Sequence, residues 1–86
     1  MSRFIPAAER IKRARLLIQK ARQFPVPAEL GKSDLSYIAQ VKDLLQQARD
    51  LVKFIPYTPT ATPEMKNEVT EIFEEAYRAN REILRG

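Results

Sequence analysis

Prolines set the limits on what this chain can fold into. Six occur in 86 residues, at positions 6, 25, 27, 56, 59 and 63. A proline inside an α-helix removes a backbone donor and clashes with the carbonyl four residues earlier. Three runs without internal proline remain, and each carries apolar residues at helical spacing. The pattern predicts helices over 6–24, 34–54 and 63–84 of one domain.

In the first run Ile11, Ala14, Ile18 and Ala21 form one stripe, with Ala7 above them. Leu17 and Phe24 extend one flank, and Phe4 and Ala8 the other. Pro6 suits the first turn, where its missing N–H costs nothing. In the second run Ser33 is the expected N-cap. Ile38, Val41, Leu45, Ala48, Val52 and Ile55 share a face, widened by Leu44 and Leu51, with Lys42, Gln46, Arg49 and Lys53 opposite. A stripe that wide suits a helix with two neighbours. Thr62-Pro63-Glu64 opens the third run with an N-cap, a proline at the first position and an acid near the positive dipole end. Met65, Val69, Ile72, Phe73, Ala76 and Ile83 form its stripe, and Glu74 and Arg78 are spaced to pair on the outside. The expected fold is all-α: a small antiparallel three-helix bundle with proline-rich joints. Ile18, Leu45 and Ile72 should lie at its centre.

In the stretch KFIPYTPTATPEM, residues 53–65, the six residues between Pro56 and Pro63 are a usual length for a helix–helix connection. Pro56 should close the second helix and Pro63 open the third, with Pro59 narrowing the choices between them, so a stiff joint is expected. Pro56-Tyr57-Thr58-Pro59 also matches the P-x-x-P pattern of SH3 ligands, which is common by chance.

The chain has no Cys and no His, so the usual zinc and haem ligands are missing, as are a Cys nucleophile and a His general base. With two glycines in all, no glycine-rich phosphate loop can form. No enzyme activity, cofactor or metal site is expected. No apolar run approaches the roughly 18 residues of a membrane span, and no secretory signal pattern is present. An intracellular, reducing compartment is expected, with mitochondrial matrix, cytoplasm and nucleus left open. The first helix is Arg-rich, amphipathic and nearly free of acids, as mitochondrial transit peptides are, yet it supplies one of only three core stripes.

Charge is unevenly divided. Residues 1–24 hold seven bases, Arg3, Arg10, Lys12, Arg13, Arg15, Lys20 and Arg22, against Glu9 alone; residues 61–86 hold four bases and six acids. A basic helix invites contact with nucleic acid or the ribosome. The bases do not form one stripe, however, and Glu68, Glu71, Glu75 and Glu82 along one flank of the third helix can offset them. Leu16 points away from the core stripe and sits among Lys12, Arg13 and Lys20, where it can anchor an acidic amphipathic partner. Asn80 falls in the third helix's stripe, where it is either wetted near the helix end or fixes register with a partner helix. Tyr37, Tyr57 and Tyr77 are expected at the rim.

In size and charge the chain is similar to small basic three-helix mitochondrial assembly factors that carry a Leu-Tyr-Arg tripeptide near the N-terminus. It has Ala14-Arg15-Leu16 in that region instead, so size and charge alone carry the comparison. The function expected is that of a non-catalytic interaction or assembly subunit, an adaptor binding a partner protein through amphipathic helices or associating with itself. The candidate contacts are Lys12, Arg13, Leu16, Lys20 and Asn80. A basic nucleic-acid- or ribosome-associated module is the alternative.

Overall fold

The computed structural model describes residues 6–85, apart from the side chains of Lys32 and Arg85. Three α-helices, α1 (Ala7–Arg22), α2 (Leu35–Val52) and α3 (Pro63–Arg85), all pack against one another. Two short 3-10 turns, Gly31–Ser33 and Ile55–Tyr57, lie in the connections. Phe4 and Arg3 fall outside the described residues.

The helices alternate in direction. Near the start of α1, Arg10 Nη1 donates to the Leu51 carbonyl near the end of α2. At the other end the Phe24 and Tyr37 rings meet at 6.0 Å. α3 runs alongside α1 in the same sense, since Arg15 reaches Glu68, Glu71 and Glu75 while Arg22 reaches Glu82.

The core follows the helical stripes. Ile11, Ala14, Ile18 and Ala21 of α1 are buried against Val41, Leu45, Ala48 and Val52 of α2 and Val69, Ile72 and Ala76 of α3. Ile18, Leu45 and Ile72 are the largest of the fully enclosed side chains, as the stripes predict. Small residues at the α1 contact, Ala14 and Ala21, leave room for large ones opposite.

Several local details differ from the sequence reading. Ser33 belongs to the first 3-10 turn, so the cap passes to Asp34, the first extended residue, whose Oδ1 accepts from the Tyr37 N–H at 3.0 Å. Tyr37 is not a rim residue but 3% exposed, covered by Phe24 across the turn. α2 stops at Val52 rather than Phe54. Pro56 has no N–H to give the Val52 carbonyl, and its ring would collide with it. On α3, Ala79 takes the buried place, while Phe73 lies at the stripe's edge, 37% exposed, and Asn80 is half-buried. Ala8 is exposed, and Glu74 forms no ion pair with Arg78.

The second joint carries hydrogen bonds of its own. Tyr57 N–H donates to Phe54, Thr58 N–H to Ile55 and Ala61 N–H to Thr58, each carbonyl accepting at 3.1–3.2 Å. Thr58 Oγ1 also donates to the Ile55 carbonyl at 2.8 Å, and Ile55 is buried against the core. Thr62 Oγ1 then accepts from the Met65 N–H at 3.1 Å, capping α3 as its sequence indicates.

Candidate partner-binding groove

α1 carries bases on two flanks, and the fold treats the two differently. On the flank towards α3, Arg15 sits among three carboxylates: Glu71 at 3.3 Å, Glu68 at 3.7 Å and Glu75 at 3.8 Å. Arg22 donates to Glu82 Oε1 at 2.7 Å. That hydrogen bond first, and the guanidinium charge second, hold the Glu82 carboxyl below its ordinary range. The acidic flank of α3 thus neutralises this half of the basic helix, as its glutamate spacing indicates.

The other flank faces a groove between α1 and α2. Its α1 wall is Arg10, Arg13, Leu16, Leu17 and Lys20, and its α2 wall is Gln47, Asp50 and Leu51. Its volume is about 560 Å³, and α3 contributes no side chain to it. Leu16 is 55% exposed there, beside the half-buried Leu17 and Leu51, which pack on the core beneath. The apolar floor arises because three leucines fall where the α1 and α2 stripes wrap past the α3 contact.

The groove continues in both directions. Past Leu16 and Lys20 it reaches Gln23, Phe24 and Pro25 in a further hollow of about 480 Å³. Past Arg10 and Leu51 it reaches Ala7, Phe54 and Thr58 in one of about 270 Å³. The three hollows together lie along the 16-residue α1, roughly 24 Å at 1.5 Å per residue; α2 lines the first and the one near Phe54, but not the one at Phe24.

The two walls differ in charge. Among the described residues Arg13 is tied only to Glu9 of its own helix, Nε to Oε2 at 3.0 Å. Lys20 makes no ion pair among the described residues. Asp50 on the α2 wall accepts from Gln46 Nε2 at 2.8 Å and pairs with Lys53 at 3.2 Å. The Gln46 hydrogen bond, then that of Lys53, keep its carboxyl below the ordinary range.

Of the residues that sequence singled out, Arg13, Leu16 and Lys20 come together on this groove. Lys12 is exposed but lines none of it. Asn80 is on the far side, in a separate α2–α3 hollow with Lys42, Arg49 and Tyr77, so it does not share a surface with the other four. Sequence reasoning missed Arg10, Asp50, Leu51 and Phe54. Leu51 had been placed with the core, and the others carry no signal until α1 and α2 are set side by side. The chain matches no protein-family model, no curated protein and no solved structure.

Proposed function

We propose that this protein is a non-catalytic helical interaction subunit whose α1–α2 groove receives an acidic amphipathic helix of a partner protein. The observation that carries this reading is the exposed Leu16 on an apolar floor, bordered by Arg10, Arg13 and Lys20. A helix laid in a groove gains from burying its apolar face, and the flanking charges steer the encounter. An occupant there would complete a fourth side of the bundle, covering apolar surface that a domain this small leaves in water.

The nucleic-acid alternative draws on the same basic helix, but Arg15 and Arg22 already face carboxylates of α3. Arg10, Arg13 and Lys20 border a floor of leucines, and Phe24 and Phe54 lie in the adjoining hollows rather than between those bases.

Affinity capture from native lysate tests the reading, with and without nuclease, comparing wild type with Leu16→Glu and with Arg13→Glu/Lys20→Glu. The expected result is a stoichiometric protein partner that survives nuclease and is lost with either variant, while circular dichroism shows both variants folded. Against the purified partner, charge reversal should slow association, and Leu16→Ala should speed dissociation. Recovery of nucleic acid released by high salt, insensitive to Leu16→Ala, would favour the basic module. A partner held equally well by all variants would place the interface elsewhere.

A further inference from the structure

We infer that the groove selects its partner helix by two carboxylates seven residues apart on one flank, the spacing with which α1 already engages α3. This rests on the reading of the groove as the partner site.

α1 bears two pairs of bases with one spacing: Arg15 with Arg22, and Arg13 with Lys20. Seven residues are almost two helical turns, so each pair points to one side and spans about 10.5 Å. The pairs are offset by two residues, about 200° around the helix, so they serve opposite flanks. The first pair shows what such a flank binds. Arg22 meets Glu82 at 2.7 Å, and Glu75, seven residues before it on a helix running in the same sense, stands 3.8 Å from Arg15, beside the nearer Glu71 at 3.3 Å and Glu68 at 3.7 Å. The second pair offers the same ladder to the groove.

The α2 wall sets the other half of the pattern. A carboxylate on the partner's α2-facing flank would meet Asp50, whereas an uncharged or basic residue would not be repelled there. Apolar side chains between the two flanks would rest on Leu16, Leu17 and Leu51. The occupant is thus a helix of about four turns with unlike flanks: acidic towards α1, neutral or basic towards α2.

Two labelled 18-residue helical peptides of identical composition test the proposal by fluorescence anisotropy. One carries glutamates at positions i and i+7 beside a leucine stripe. In the other they stand at i and i+5, about 140° apart. The i,i+7 peptide should bind wild type about fivefold more tightly, the combined effect expected of two exposed ion pairs. The preference should vanish with Arg13→Glu/Lys20→Glu and return when the peptide's glutamates become lysines. Equal binding of both peptides, weakened alike by Leu16→Ala, overturns the spacing rule while leaving the groove as the site. Binding of neither peptide, or binding indifferent to Leu16→Ala, overturns the groove reading and this inference with it. A concentration-dependent dimer in sedimentation, dissolved by the Arg13/Lys20 reversal, overturns it in favour of a second copy.

Discussion

Gly31 sits at φ +58°, in the turn that leads into α2. Its N–H donates to the Pro27 carbonyl at 3.1 Å, and its own carbonyl accepts from Asp34 at 3.2 Å. No neighbour lies within 4 Å of where a Cβ would stand, so space does not forbid a side chain, but the backbone does. A left-handed conformation costs an L-residue about 1–2 kcal/mol, and Gly31→Ala should lower stability by that amount in denaturant melts. A loss under about 0.3 kcal/mol would mean the turn rearranges freely. Tyr37 is the residue-scale lesson in legibility. Its position falls with Val41, Leu44 and Ala48 at helical spacing, but the stripe read from the sequence began at Ile38 and left it out. The hydroxyl made it read as a rim residue, and only the Phe24 ring from across the turn shows why it is covered.

The elements themselves were legible because proline and periodicity agree on them. All three helices lie where the proline-free runs put them, and their ends differ by one or two residues for local reasons such as the demand Pro56 makes on Val52. Thr62-Pro63-Glu64 was readable as a start because cap, proline and dipole all act within one turn. That cap can be weighed. Thr62→Ala leaves the Met65 N–H without its 3.1 Å acceptor and should cost about 1 kcal/mol, whereas Thr60→Ala, with no such bond, should cost less than half of that. Equal effects of the two in thermal melts would show that the α3 start is held by Pro63 rather than by the hydroxyl. The phase of α3 was less legible. Phe73 and Asn80 lie seven apart at the stripe's edge, and Ala79, too small to draw notice, lies inside it. A stripe's centre depends on how the neighbouring helices approach, which no single segment encodes. The groove has the same character: Leu16, Arg13 and Lys20 follow from one helix, but Asp50 and Leu51 join them only when α2 is laid alongside.

At the scale of the molecule, opposite charge on α1 and α3 joins the first and last helices. Protonation should loosen that join. Glu82 is held below its usual range by Arg22. A group with a depressed folded pKa contributes fully above its unfolded value, near pH 4.3, and the contribution fades as pH falls through the lower folded value. Wild type should therefore exceed Arg22→Gln in stability at neutral pH, and the gap should narrow as pH falls below the ordinary glutamate range. A gap that stayed constant with pH would assign the difference to packing of the arginine stem.

The two flanks of α1 predict a separation of stability from binding. Among the described residues Arg15 is the base paired with Glu68, Glu71 and Glu75, so Arg15→Glu turns a net charge of −2 in that group of four into −4. These groups are more than a third exposed, and solvent screens them, so the loss should be about 1 kcal/mol rather than the several expected of a buried charge. It should shrink in 1 M salt, where screening acts over about 3 Å. Arg13 faces the groove and, among the described residues, pairs only with Glu9 at i,i+4, a contact worth about 0.3–0.5 kcal/mol. Arg13→Glu should leave the melt within about 0.5 kcal/mol of wild type while slowing association with an acidic helix. The two substitutions reverse the same charge on the same helix two residues apart. If both shift the melt equally and neither depends on salt, the ion pairs to α3 are not what distinguishes the two flanks, and α1 has lost its division into a face that holds the fold and a face that meets a partner.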